Sequence, residues 1–529
     1  MHNSKHLGRL LILSITMLSL FLFPIVAHAE QTTSNRVLLV YDSQNKAHQQ
    51  ETKIAAIQRI LTSLQINVKT ETAVEYHAGQ LSHYQGVITL INWQQMKLTN
   101  TSFLRDRQNF TGPQLHVGPN LTSEETAGLQ ATPQKIYQQQ LLLTGENDKL
   151  QQLLPFQQSL TVLTNLPANA QVIGHLKAQS SVLRQYPYGT IVGNHGYLPD
   201  FNTGGYSLML ATRTIAKLFA NQKGNSTYQP LLTITKVTPY SNMELLDQLS
   251  QWLYSKGLPF AISTTTVEGK SNFHAFQRFT KVLRHVENRG GVIFLKTPVV
   301  GGVMSSSGPE LNSLMDSYII QSAQNQVFPV GISAPAYWNQ DQVYRENALT
   351  KADQSLLLPN PTTVKYAHQD NQSMTFKNSF YGVSAASFNT SDSGQPLSLA
   401  APSFAIPTAL TFTMPNSQTS LTDLKRRIEQ MNYHWLDPAA QMTPTMINSG
   451  TATISYRAGT YFLNGRAQEI KEQHQQAQTL KAVKPRELWV NRFFKAQGTV
   501  LMFFFVIAFI IFGLLIFVGR RIYVKMFKR

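Results

Sequence analysis

The chain has 529 residues, a formal net charge of +17 and no cysteine. The lack of cysteine excludes disulfides and thiolate metal sites. The positive charge favours an anionic polymer or lipid head groups as partners, but charge that only confers solubility is an equal alternative, because no dense basic cluster stands out. We expect no nucleic-acid partner.

The N-terminus has the composition of a secretory signal peptide over residues 1–29. Lys5 and Arg9 precede an apolar run from Leu10 to Val26, and residues 27–29 form a small-x-small cleavage site. A retained N-terminal anchor is the alternative to cleavage. Export together with the lack of cysteine is typical of a bacterial surface that does not depend on oxidative folding.

Residues 30–225 predict an N-terminal α/β domain. A buried strand from Arg36 to Asp42 is followed by an amphipathic helix over residues 47–64 and by two more strands, at residues 66–68 and 86–91. This order favours a flavodoxin-like or glutamine-amidotransferase-like open sheet. The strand-rich stretch up to the helix at residues 205–221 is either the rest of this domain or a small β insertion.

Open sheets of this class bind ligands where their strands end. The positions to check are therefore Asp42 and Ser43 after the first strand, and Asn92 and Trp93 after the third. The sequence has no dinucleotide-binding glycine motif, no phosphate-binding loop and no cysteine nucleophile for amidotransferase chemistry. We therefore interpret this domain mainly as an accessory packing domain.

Residues 226–440 predict a second α/β domain. Apolar strands from Leu231 to Val237, at residues 259–262 and from Val292 to Leu295 alternate with two helices, a pattern typical of a parallel sheet or barrel. In such folds the chemistry lies at the carboxyl ends of the strands. Those ends carry Thr235 and Lys236 on one strand and Lys296 on another.

This domain resembles the polysaccharide-deacetylase superfamily, in particular a poorly characterised branch of exported bacterial proteins. Members of that branch have an acidic pair before Val and then Ser-Pro-Tyr-Ser-Asp, where this chain has the octapeptide Thr235 to Asn242. Their Gly-Gly before a short strand matches Gly290 and Gly291. Their Glu-Ala-Pro-His matches Ser333 to Ala336, and their late Phe-His-Pro element matches Phe412 to Pro415.

The resemblance implies a distorted (β/α) barrel in which an Asp and two His hold a divalent metal and a second Asp activates water. The matched positions here are Thr235, Lys236, Lys296 and Val300. Ammonium and methyl groups neither bind a cation nor lower the pKa of water. We therefore expect a pseudoenzyme with no catalytic residues, no metal ligands and no cofactor. An active deacetylase or hydrolase with an atypical site is the alternative.

The cleft of such a barrel keeps its shape without a metal, and its two lysines can donate to hydroxyls or to anionic groups such as uronate or phosphate. The candidate ligand-binding residues are Thr235, Lys236, Tyr240, Lys296, Ser333 and Met414. A relocated site has little support, since His274, His285 and His434 lack metal-ligand spacing and no G-x-S-x-G elbow occurs.

Residues 441–496 predict a hairpin, at about residues 452–463, followed by a polar stalk. The apolar residues 497–519 are long enough to span about 30 Å of hydrocarbon. The tail 520–529 carries five basic residues, which favours the cytoplasmic side. We therefore predict a single-pass cell-membrane protein with its bulk outside, which binds glycan or assembles with a synthase or other membrane proteins in exopolysaccharide or cell-wall biogenesis.

Overall fold

The computed structural model describes residues 35–42, 50–145, 151–178, 181–220, 226–266, 273–298, 304–388, 403–470 and 489–527. The predicted signal peptide, Ser43, Val300 and most of the predicted stalk lie outside these residues. Within the described ranges the chain forms an open nine-stranded sheet, a closed seven-stranded parallel barrel, a four-stranded sheet and one long apolar helix near the C-terminus. The predicted fold class, an open α/β sheet followed by a barrel and one apolar helix, is confirmed.

The first unit is built on the nine-stranded sheet, with helices Gln50–Ser63, Thr101–Gln108, Ser123–Leu129 and Gly205–Phe219. The strands of this unit are β1 Arg36–Tyr41, β2 Asn67–Thr72, β3 Gly86–Leu90, β4 Gln114–Val117, β5 Thr132–Gln139, β6 Leu141–Thr144, β7 Gln151–Leu153, β8 Gln157–Thr164, β9 Gln171–Ala178, β10 Ser181–Val192 and β11 His195–Leu198. Strands β5 and β8 form a separate pair, and the other nine form the sheet.

The strand order in this sheet is β2-β1-β3-β4-β11-β10-β9-β6-β7. The first five strands are parallel, as the β-α-β pattern of the sequence predicts, and the last four continue the sheet in antiparallel pairs. The strand-rich stretch therefore completes the first sheet, apart from β5 and β8, which pair with each other.

The second unit is the barrel, with helices Met243–Ser255, His274–Asn288, Gly308–Gln324, Gln342–Asn347 and Gln418–Gln430. Its strands are β12 Leu231–Val237, β13 Ala261–Thr264, β14 Val292–Lys296, β15 Gly331–Pro335, β16 Gln354–Leu358, β17 Asn378–Ser384 and β18 Thr408–Thr413. Each strand pairs in parallel with the next, and β18 pairs with β12 to close the barrel.

Three strands of the second unit have bounds that depend on packing. Strand β15 begins at Gly331, and Val327 and Phe328 pack as a buried segment before it. Strands β16 and β17 are short, with five and seven residues, and they arise from a stretch of largely polar composition. Their inner residues are small and polar, such as Ser355 and Ser379, whose hydroxyls share a 3.0 Å hydrogen bond.

A four-stranded antiparallel sheet packs against the barrel. It consists of β19 Thr445–Asn448, β20 Thr453–Arg457, β21 Thr460–Leu463 and β22 Arg466–Gln468, so the predicted hairpin forms its centre. The Tyr461 hydroxyl donates to the Gly291 carbonyl at 3.3 Å. Ile447 and Ile454 are buried in the same apolar cluster as Phe294 of the barrel.

The C-terminal helix runs from Trp489 to Phe527. Its segment Met502–Tyr523 is 22 residues long, with a mean hydropathy of 3.0, and its most apolar stretch contains no buried residue. This is one candidate membrane span among the described residues, and it agrees with the predicted span at residues 497–519. The helix continues past Arg520 and Arg521, so the predicted basic tail begins as helix. Its orientation across a membrane stays a prediction.

Candidate functional site

The carboxyl ends of the barrel strands bring Thr235, Lys236 and Lys296 to one edge of the barrel. We call the edge formed by these three residues and Tyr240 the barrel mouth. The Thr235 hydroxyl donates to the Phe412 carbonyl at 3.1 Å, and the Thr235 carbonyl accepts from the Met414 amide at 3.0 Å. These bonds fix the end of β12 against the end of β18.

A bulge interrupts the end of β12. The pairing of β12 with β13 shifts register between Ile234 and Val237, and Lys236 adopts a φ of 61°. A side chain in this left-handed region strains the backbone. The bulge re-aims the Lys236 side chain, which is exposed, at the point where β12 leaves the barrel.

The Thr-Pro-Tyr-Ser-Asn sequence explains the loop that follows. The Thr238 amide donates to the Ser241 hydroxyl at 3.0 Å, and the Tyr240 amide donates to the Thr238 hydroxyl at 3.2 Å. Asn242 then caps the next helix, since its side-chain oxygen accepts from the Glu244 amide at 3.1 Å. The turn leaves the Tyr240 ring 74% exposed, available to stack on a ligand.

The two lysines of the barrel mouth act on each other electrostatically. Burial lowers the pKa of Lys296, which is half-buried, and the positive charge of Lys236 lowers that pKa further. Neither ammonium group forms an ion pair with an acidic side chain in the described part of the chain. Within the described part of the chain, the barrel mouth therefore presents two positive charges without a fixed counter-charge.

Ser333 and Met414 lie apart from this charged edge. Ser333 is fully buried, and its hydroxyl shares a 2.8 Å hydrogen bond with that of Ser263. Because β14 lies between their two strands, this bond crosses the interior of the barrel. Met414 is 8% exposed and belongs to the apolar core. The structure thus has the two lysines and Thr235 at strand ends of one barrel edge, with Tyr240 exposed on the turn after β12, and it places Ser333 and Met414 among packing groups.

Sequence reasoning did not select three residues on the segments that follow β13 and β14. Thr297, directly after Lys296, is buried, and its hydroxyl has no hydrogen-bond partner among the described residues. Phe273 and Met304 are largely exposed after β13 and β14, respectively. The sequence signal for Thr297 was its position at a strand end. Phe273 and Met304 gave no such signal, because single exposed apolar residues are common on protein surfaces.

The residues at the matched positions do not fit the divalent metal that the deacetylase resemblance implies. Thr235 offers one weak oxygen ligand, and Lys236 and Lys296 offer positive charge, which repels a cation. Among the described residues, no group of three or more His, Asp or Glu side chains is arranged to hold a metal ion. No step that needs a bound metal follows from this arrangement.

The predicted positions at the edge of the first sheet come together as a second polar group. The Asp42 carboxylate accepts from the amides of Asn92 and Trp93 at 3.3 and 3.2 Å. Lys53 donates to the Asn92 side-chain oxygen at 2.9 Å and to Asp200 at 2.5 Å. The amides that an anion would use are therefore bonded to the protein's own carboxylate, which suits a packing role.

Comparison with solved structures finds a likeness to a crystal structure of Agd3, described as a novel carbohydrate deacetylase. The likeness covers 82% of this chain and 91% of that chain, with 9% sequence identity and a TM-score of 0.30. At this identity and TM-score it carries no argument about activity. No protein-family model and no curated protein matches the sequence.

Proposed function

We propose that this protein is a membrane-anchored, non-catalytic glycan-binding protein whose barrel mouth binds a saccharide that carries anionic groups. The observation that carries the proposal is the pair Lys236 and Lys296, two ammonium groups at the ends of β12 and β14, on either side of β13, with no acidic partner among the described residues. A uronate or phosphate group would supply the missing counter-charge.

The surroundings of the lysines support a saccharide ligand. Tyr240 offers an exposed aromatic ring beside the charged edge, and Phe273 offers a second one on the loop after β13. Aromatic rings present flat apolar surfaces, and the lysines supply hydrogen-bond donors. These are the groups that recognise the apolar face and the oxygens of a sugar.

The C-terminal helix supports a membrane location. The apolar segment Met502–Tyr523 would hold the protein at the bilayer. We infer that the glycan-binding units lie outside the cell, with the basic residues after the span in the cytoplasm. In this arrangement the protein binds exopolysaccharide or a wall polymer near the membrane, beside a synthase or other membrane proteins that produce it.

Binding of polygalacturonate to the full-length protein in detergent micelles tests this proposal. We expect Lys236→Ala combined with Lys296→Ala to weaken binding about tenfold or more, because two charged contacts are lost. Lys97→Ala combined with Lys135→Ala is a matched control, since both lysines are exposed and the change in net charge is the same. Equal binding by the two double variants would remove the barrel mouth from consideration.

The catalytic alternative needs a separate experiment. The full-length protein is incubated with an acetylated chitooligosaccharide, and released acetate is measured with and without a chelator. We expect no release above the buffer background, because the matched positions do not fit a divalent metal. Release of acetate that the chelator abolishes would overturn the non-catalytic part of the proposal.

A further inference from the structure

A second cleft lies where the first unit meets the barrel unit. Strand β2 is the edge strand of the first sheet, and its free side pairs with residues 371–373 of the second unit. The Thr70 amide donates to the Asn371 carbonyl at 2.9 Å, and the Ser373 amide donates to the Val68 carbonyl at 2.9 Å. Main-chain hydrogen bonds thus fix the two sides of this cleft relative to each other. We call it the junction cleft, and its volume is about 870 Å³.

The lining of the junction cleft is polar. It contains three histidines, His77, His83 and His368, together with four side-chain amides and three carboxylates. Among the described residues that line it, Ala78 and Gly79 alone lack a polar side chain. A cleft lined mainly by polar side chains does not suit a lipid chain or an amphipathic helix, and suits a ligand rich in hydroxyl groups.

Glu71 is the group in the junction cleft that most clearly lacks a partner. Its side chain is 7% exposed, and one carboxylate oxygen, Oε2, accepts from the Gln80 amide at 2.6 Å. The other oxygen, Oε1, has no hydrogen-bond partner among the described residues. A buried acceptor without a donor is destabilising, so a hydroxyl donated by a ligand would be favourable there.

The charged groups around Glu71 are already engaged. Lys69 donates to the Asp370 carbonyl at 2.8 Å, and the Asp370 carboxylate pairs with Arg345. The Glu75 carboxylate accepts from the amide and the hydroxyl of Thr72 at 3.0 and 2.9 Å. The described lining sets the single ammonium group of Lys69 against the carboxylates of Glu71, Glu75 and Asp370, so an anionic ligand would meet a net negative charge.

We propose that the junction cleft is a binding site for a neutral oligosaccharide, in which Glu71 accepts a hydrogen bond from a sugar hydroxyl and the imidazole rings of His77, His83 and His368 bind further hydroxyls. No hydrogen bond engages these three rings within the described residues, and all three are exposed. The site is separate from the barrel mouth, which carries positive charge, and goes beyond the function proposed there.

Binding of three neutral probes to the full-length protein in detergent micelles tests this site. The probes are cellopentaose, maltopentaose and penta-N-acetylchitopentaose, and their dissociation constants are measured by calorimetry. For any probe that binds, Glu71→Gln should raise the dissociation constant by about tenfold or more. In this variant the side-chain oxygen would still accept from Gln80. The amide nitrogen, which is a donor, would then stand where Glu71 has its unpartnered acceptor Oε1.

Two further variants keep the test decisive. His368→Ala changes an exposed side chain, so the fold should persist while binding weakens several-fold. Glu124→Gln, an exposed carboxylate elsewhere on the first unit, should leave the dissociation constant unchanged. The Lys236→Ala and Lys296→Ala double variant should also bind the neutral probe normally, which separates this site from the barrel mouth. Binding of none of the three probes, or unchanged binding by Glu71→Gln, would overturn the proposal.

Discussion

The guanidinium of Arg59 lies over the ring of Tyr381, with its central carbon 4.2 Å from the ring centroid. The two residues are 322 positions apart in sequence, and they join the first helix of the open sheet to strand β17 of the barrel. Arg59 also donates to the Tyr381 hydroxyl at 3.1 Å and to the Gly382 carbonyl at 2.5 Å. One buried arginine therefore connects the two units through a cation–π contact and two hydrogen bonds.

Arg59→Met should lower the free energy of unfolding by about 1–3 kcal/mol, because the buried Gly382 carbonyl loses its side-chain donor while the methionine fills much of the volume. The measurement is chemical denaturation of the full-length protein in micelles. The exposed Arg278→Met is the control and should change the free energy by less than about 0.5 kcal/mol. A loss no larger than that of the control would show that the arginine does not hold the units together.

Lys236→Gly should stabilise the fold by about 0.5–1 kcal/mol. The φ of 61° at this position is strained for lysine and relaxed for glycine, and the larger entropy of the unfolded glycine chain offsets part of the gain. The same variant should lose affinity for polygalacturonate. Lys236→Ala removes the same charge but keeps the strain, so equal stability of the two variants would contradict this account of the bulge.

The affinity of the barrel mouth for polygalacturonate should decrease as pH rises. Lys296 is positively charged below its pKa, and burial together with Lys236 lowers that pKa from the usual 10.5. The contribution of Lys296 to the affinity should therefore be lost below pH 10.5, as the pH rises through the lowered pKa of this residue. Lys236→Gln removes the neighbouring positive charge, so the midpoint of the loss should move to higher pH. An unchanged midpoint would contradict electrostatic coupling between the two lysines.

Glu287 should make the fold less stable as pH rises. The carboxyl is buried, its Oε1 accepts from the Phe328 amide at 2.7 Å, and its Oε2 has no hydrogen-bond partner among the described residues. Burial raises the pKa of Glu287 well above 4.5, so the folded state keeps a proton that the unfolded state loses. Its contribution to stability is therefore complete below pH 4.5 and decreases as pH rises through the raised pKa.

Glu287→Gln should remove this pH dependence, because the glutamine amide stays neutral and its oxygen still accepts from Phe328. The measurement is the free energy of unfolding across pH 4 to 8, with the exposed Glu310→Gln as control. If wild type and Glu287→Gln have the same slope, another group is responsible for the pH dependence.

The architecture was predictable wherever its signal is local in sequence. The apolar runs from Leu231 to Val237 and from Val292 to Leu295 predict parallel strands, so Lys236 and Lys296 were expected at one edge. The structure has both residues at the strand ends of one barrel. Strands β16 and β17 have a weaker local signal, because their polar residues are satisfied by neighbouring strands that sequence periodicity does not reveal.

The candidate site was predictable only in part, for the same reason. Ser333 was expected to line the barrel mouth, but its bond to Ser263 across the barrel makes it an interior residue. Thr297 gave no motif, and its lack of a partner depends on how β14 and β15 pack. The junction cleft was not predicted at all, because its two walls come from residues about 300 positions apart, as in the bond from Lys69 to Asp370.

The sequence by itself determined where apolar side chains recur, where strands and helices follow one another, and which charged residues stand at the strand ends. It also determined that one apolar helix is long enough to cross a membrane. Only the tertiary structure decided which of those charges lack a partner, that Lys236 takes a left-handed conformation, and that Glu71 is buried beside a cleft. These properties depend on hydrogen bonds and burial between distant parts of the chain, whereas local pattern reflects only the preferences of neighbouring residues.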